Sequence, residues 1–118
     1  MVGEIFPLTT TANGKASLAL LPPRTARELI EREAAASARD ASVLLAEIDE
    51  VRSSGIAWDH DEHTDGISAV GATFRDPNGV INAISIPVPT NRFAGKKDSL
   101  AAVLRNALEQ IAAVLPRR

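Results

Sequence analysis

The chain has 118 residues, 45% of them apolar, and a formal charge of −2. That length makes one domain with a real core, and the weakly acidic balance argues against non-specific nucleic-acid binding, which needs clustered Lys and Arg. The absence of cysteine excludes disulfides, thiolate catalysis and cysteine-ligated zinc and fits a cytosolic protein, while no apolar run approaches the roughly 20 residues that span a bilayer.

Residues 1–7 lack the basic and apolar regions of a signal peptide. Residues 1–12 are expected to be extended or irregular, with 4–8 as a candidate strand. Asn13-Gly14 signals a turn, and a short helix is predicted from Lys15 to Leu21. Pro22-Pro23 stops it, because proline lacks the N–H and clashes with the preceding turn. Pro23 also suits the first turn of a second helix, Arg24 to Ala34, with Ala26, Leu29 and Ile30 on its apolar side. A break is expected near Ser37. The third helix should run from Ala38 to Ser53, since Ala41, Leu44, Leu45, Ile48 and Val51 form one stripe at spacings of three and four. Gly55 sits where a left-handed residue would cap it.

Ile56-Ala57-Trp58 reads as a short strand and Asp59 to Asp65 as an acidic loop. Ile67 to Arg75 is a strand of small and branched residues. Asp76-Pro77-Asn78-Gly79 is a turn, and Val80 to Val88 returns, so 67–88 is a β-hairpin. Pro87 and Pro89 donate no ladder bonds, which makes that end an edge or a ligand-facing rim. The last helix runs from Ser99 to Leu115 on the periodic face of Leu100, Val103, Leu104, Ala107, Leu108, Ile111, Val114 and Leu115, and Pro116 ends it. The pattern is α/β (α+β), an antiparallel hairpin-containing sheet flanked by helices. A lone hairpin is unstable in water, so the shortage of strands points to part of a larger domain.

Three features bear on chemistry. The Asp59–Asp65 segment holds Asp59, His60, Asp61, Glu62, His63 and Asp65. It lacks the His-Glu-x-x-His spacing and a third ligand elsewhere, so a solvated acidic loop is favoured over a metal site. Gly14-Lys15-Ala16-Ser17 is similar to the end of a phosphate loop, but Thr9 stands where the first glycine belongs. What is left is a helix start whose N–H groups favour a small anion, or one with no ligand. Ser85 shares a strand face with Ala83 and Pro87; it suits a pocket wall, and no Gly-x-Ser-x-Gly surrounds it.

Three blocks in order resemble the C-terminal effector-binding domain of the IclR-type transcriptional regulators. They are Pro7 to Ala19, a proline-led run into a Gly-Lys-Ala helix start; Glu47 to Glu62; and Gly66 to Pro89, with Asp76, Gly79, Ala83, Ile84 and Ser85 in register. The resemblance covers residues 7 to about 115. It implies a partial GAF-like domain with a pocket for a small metabolite, often a carboxylate or an aromatic, and assembly into dimers or tetramers. It implies that DNA is met only through a winged helix-turn-helix domain, which is absent from these 118 residues together with the first strands of the effector domain. It implies no cofactor, no metal, no membrane and no enzymatic activity.

Carried over by position, the ligand-binding residues are Ala12, Asn13 and Gly14 at the helix entrance, Asp59 and Ile67 around the acidic loop, and Ala69 and Ser85 on the hairpin. The family often has cysteine at position 69 and serine at position 87, where this chain has Ala69 and Pro87, so the hairpin wall should be less polar. The function expected is small-molecule sensing with a ligand-dependent change of oligomer arrangement. Two rivals stand beside it: a metal-dependent hydrolase using the Asp59–Asp65 loop, and a dimerisation module that binds no ligand.

Overall fold

A computed structural model describes residues 8–115; the candidate strand at 4–8, the helix-ending Pro116 and the Arg117-Arg118 end fall wholly or almost wholly outside them. Helix α1 spans Ala12–Leu20, α2 Pro23–Ser37 and α3 Ala41–Ser54. Strands β1 Ala57–Thr64, β2 Ile67–Arg75 and β3 Ile81–Pro89 follow. Two 3₁₀ turns, Thr90–Arg92 and Ala94–Lys96, lead into α4, Lys97–Val114. The strands form an antiparallel sheet in the order β1-β2-β3, as the α+β pattern predicts.

Helix α1 begins three residues earlier than predicted. Thr11 is its cap, with Oγ1 accepting from the Gly14 N–H at 3.0 Å. Asn13-Gly14 is therefore the first turn of the helix rather than a turn before it. Gly14 is demanded by crowding, since a Cβ there would meet the Leu8 backbone and lie 2.7 Å from Thr11 Oγ1. The α2–α3 break is sharper than small residues alone suggest. Ala38, expected to open α3, instead ends α2 in the left-handed conformation (φ 56°). Asp40 then starts α3 by accepting from the Ser42 N–H at 2.9 Å. Gly55 caps α3 at φ 77°, as expected.

The largest difference is the acidic segment. Most of it is strand: β1 runs on to Thr64 and turns through Asp65-Gly66 into β2. Its register with β2 slips between Asp59, opposite Ala69, and Thr64, opposite Ile67. The extra residues bulge out, with Asp61 at φ 62°. Several bonds hold the bulge: the Glu62 N–H donates to Asp59 Oδ1 at 2.8 Å, and the Gly66 N–H and, at 3.1 Å, the Thr90 hydroxyl donate to Asp61 Oδ1.

The layers run α4, sheet, α1, then α2 with α3. Val70 and Ala72, with Ile56, Ala101 and Leu104, make the core under α4. On the other face Ala16, Val51 and Ala57 pack together, and Leu18 joins Ala26, Ile30, Ala34, Leu44 and Ile48. Helix α1 is thus covered on both sides, by the sheet and by α2–α3. The bonds Thr73 Oγ1 to Ala16 O, 3.0 Å, and Arg75 to Leu20 O, 3.0 Å, tie it to β2.

Candidate functional site

Alternation along a strand decides which residues share a face, because successive side chains point to opposite sides. Asp59, Ala69 and Pro87 stand directly opposite one another across the three strands, and Ala57, Gly71 and Ser85 form the adjacent row. Ile67 lies on the same face, paired with Thr64 and Pro89. That face is the one α1 covers, since Thr73 of the next row bonds the Ala16 carbonyl.

Helix α1 crosses this face at its first residue. Ala12 is buried, and a Cβ built on Gly71 would lie 2.9 Å from the Ala12 Cβ. Only glycine at 71 allows that approach. Ala12 therefore sits over the Gly71–Ser85 row, with exposed Asn13 beside it. Six of the seven sequence-predicted positions, Ala12, Asn13, Asp59, Ile67, Ala69 and Ser85, are brought to one face around the start of α1. Gly14 is buried inside the helix turn and presents no group of its own.

The N–H groups expected to hold an anion are fewer than the sequence suggests. The Gly14 N–H is engaged by Thr11 Oγ1 and the Lys15 N–H by the Thr11 carbonyl at 3.0 Å. Those of Ala12 and Asn13 have no partner among the described residues. Along β3, Ala83, Ser85, Pro87 and Pro89 are exposed, whereas Ile84, Ile86 and Val88 between them are half-buried, Ile84 and Ile86 against α4. The Ser85 hydroxyl is thus open to a ligand from the α1 side.

Beneath the site lies a residue that sequence reading missed. Lys15 is fully buried, yet its ammonium is satisfied by Glu47 and Glu62 at 2.5 Å each and by the Trp58 carbonyl at 2.7 Å. It ties α1, α3 and β1 to one point. Because the Glu62 N–H holds Asp59 Oδ1, the same lysine fixes Asp59 relative to Ala12. Arg39, 3.9 Å from Glu62, bonds Thr9 Oγ1 at 2.8 Å, and Glu33 accepts from the Thr9 N–H and hydroxyl and the Leu8 N–H. The polar chain runs from the entrance of α1 to the bulge of β1. An isolated lysine after an Asn-Gly carries no sequence signal for this. Gly71, a lone glycine within a strand, did carry one.

His60 is exposed, as expected, but it lies in strand β1 and not in a loop. Its ring packs edge-on against Phe93 at 5.2 Å, and Lys97 Nζ lies 3.0 Å from its Nε2. Burial, then the charges of Lys97 and Lys15, lower its pKa and favour the neutral ring. Among the described residues no three His, Asp or Glu side chains are grouped as a metal ion requires.

The family described as "Bacterial transcriptional regulator IclR C-terminal" matches residues 1–113. The chain is 47% identical over 107 residues to the HTH-type transcriptional regulator Rv1719 of Mycobacterium tuberculosis, covering 87% of this chain and 41% of that protein. The crystal structure of the C-terminal domain of Escherichia coli KdgR superposes with a TM-score of 0.74 at 28% identity, over 96% of this chain and 73% of that one. An inducer-binding domain of PobR from Acinetobacter, crystallised with 3-hydroxybenzoic acid, shares the fold with a TM-score of 0.73 at 23% identity, over 90% of this chain and 67% of that one. The chain spans about two fifths of the length of the curated relatives it matches. Those relatives are transcriptional regulators rather than enzymes, and the hydrolase alternative finds no support among them. The chain belongs to the IclR family of bacterial transcriptional regulators, as a C-terminal, effector-binding domain.

Proposed function

We propose that this domain senses a small organic acid on the α1 face of its sheet. The observation that carries the reading is the convergence of Ala12, Asn13, Asp59, Ala69 and Ser85 on that face, beside an incompletely capped helix start. The Ala12 and Asn13 N–H groups, aided by the helix dipole, donate to the ligand carboxylate. The Ser85 hydroxyl donates to a ligand oxygen. The Asp59 carboxylate, anchored through Oδ1, takes a ligand hydroxyl. Ala69 and Pro87 make the floor apolar, which suits an aromatic or short aliphatic body. No covalent step is needed.

The signal in this reading is a population shift: the ligand must bind one subunit arrangement better than another. Strand β3 is paired on one side only among the described residues, and such an edge recruits a further strand or a second copy. DNA binding belongs to a separate helix-turn-helix domain of the whole regulator. The test is a thermal-shift panel of small carboxylic acids, 3-hydroxybenzoate included, on this chain. A concentration-dependent rise for a subset of acids supports the reading. A flat panel, with a stable dimer by light scattering, favours the ligand-free dimerisation module instead.

A further inference from the structure

The opposite face of β1 borders a second concave feature. A cavity of about 280 Å³ opens between α3, the start of β1 and the first turn of α4, lined by Glu50, Val51, Ile56, Trp58, His60 and Lys97 among others. Trp58 and His60 are two apart on β1 and share this side. Phe93 is buried behind them, edge-on to the Trp58 ring at 5.7 Å. Lys97 Nζ sits 4.7 Å from the Trp58 ring centroid and 3.0 Å from His60 Nε2. A neutral imidazole accepts one of the three ammonium protons and leaves two donors.

The charges around this cavity are not matched to each other. Among the described residues Lys97 has no carboxylate partner, and Glu50 has neither a hydrogen bond nor an ion pair. Glu47, which also lines the cavity, is already held by Lys15. One small space therefore carries an unpaired cation and an unpaired anion, with the apolar surfaces of Val51, Ile56 and Trp58 between. A lone carboxylate would meet Lys97 but face two glutamates. A lone ammonium would have to displace Lys97 from the aromatic rings. A ligand with both charges in one body meets neither obstacle. The volume lies just below the usual range of ligand pockets, about 300–1,000 Å³, which suits only a small ligand.

We propose that this cavity is a second binding site, for a small zwitterion of the α-amino acid class, with Lys97 taking the carboxylate, Glu50 the ammonium, and Trp58, Val51 and Ile56 the apolar part. It is separate from the organic-acid face, since Trp58 and Asp59 are neighbours on β1 and point to opposite sides. The two sites share that strand and no side chain.

Trp58 is the sole tryptophan of the chain, so its fluorescence reads this cavity directly. The chain is titrated with each common α-amino acid, and with propionate and propylamine as single-charge controls, to about 10 mM. At least one small amino acid should give a saturable change, with both controls about tenfold weaker or more. Lys97→Met and Glu50→Gln, each checked for folding by circular dichroism, should each weaken binding by about tenfold. Ser85→Ala, on the far face, should leave it unchanged. The proposal is overturned by no saturable response to any amino acid, by an equal response to propylamine, by binding indifferent to both cavity variants, or by its loss in Ser85→Ala.

Discussion

The Cβ of Ala12 in α1 lies where a Cβ on Gly71 of β2 would meet it at 2.9 Å, with the Ala12 carbonyl carbon at 3.1 Å. Backbone atoms cannot move aside as a flexible side chain can. Gly71→Ala should therefore push α1 off the sheet and cost about 1–3 kcal/mol, the usual penalty for overpacking. Urea unfolding measures it, and Ala12→Gly in the same chain should recover part of the loss. Unchanged stability in Gly71→Ala would mean that α1 rides higher on the sheet than described.

Much of this fold was legible because its periods are clean. The β2–β3 hairpin follows from Asp76-Pro77-Asn78-Gly79 between branched runs, and α3 and α4 follow from one-sided stripes. Helix α1 was misplaced because it is covered on both sides and shows no stripe. Strand β1 was cut short because its second half is charged and exposed. Only the Asp65-Gly66 dipeptide, a hairpin signal in its own right, marked its far end. The candidate site positions rest on the family resemblance and not on spacing: rows across a sheet are set by register, which a single sequence does not state. Lys15 was hidden for the same reason, since its partners are 32 and 47 residues away.

Lys15 should be the most sensitive charged position. Removing one member of a buried ionic cluster leaves the others uncompensated and costs about 3–5 kcal/mol. Glu47 and Glu62 are partly solvated, at 33% and 27% exposure, so Lys15→Met should fall at the lower end, about 3 kcal/mol. Adding Glu47→Gln and Glu62→Gln to Lys15→Met should restore part of the stability, because no unpaired charge is then left. Chemical denaturation of the single and triple variants checks this; equal stability of the two would deny that the cluster acts as a unit.

Acid should weaken the contact between α2 and the segment entering α1. Burial alone raises the Glu33 pKa, but the Thr9 N–H and hydroxyl, the Leu8 N–H and the Arg39 charge together outweigh it and hold the carboxyl below its ordinary 4.5. A depressed folded-state pKa gives stability that is present above the unfolded value and lost as pH falls through the lowered one. Glu33→Gln should thus be less stable than the parent at neutral pH, by about 1.5 kcal/mol for lost charge-assisted bonds. The gap should start to narrow below the ordinary 4.5 and close only as pH falls through the lowered folded-state pKa, where the parent carboxyl is protonated too. Thermal melts of both proteins across this range should converge at the acid end; parallel curves would remove Glu33 from the acid response.

The organic-acid face is tested by two variants whose effects differ in kind. Ser85 is exposed on β3 and its hydroxyl has no hydrogen bond among the described residues, so Ser85→Ala should leave the melting temperature without ligand unchanged. It should weaken acid binding by about 0.5–1.5 kcal/mol, the net value of one hydrogen bond, which is about two- to twelvefold in Kd. Asp59 is buried and holds the bulge through the Glu62 N–H. Asp59→Asn keeps that acceptor but loses the charge that would repel a carboxylate, so simple acids should bind no worse while hydroxy acids lose their advantage. His60→Ala, on the other face, should leave every acid response intact. Calorimetry with a responsive acid and its hydroxyl-free analogue separates these effects. If Ser85→Ala matches the parent for every acid while His60→Ala does not, the ligand sits on the α4 side of the sheet and the acid-binding face has been assigned to the wrong side.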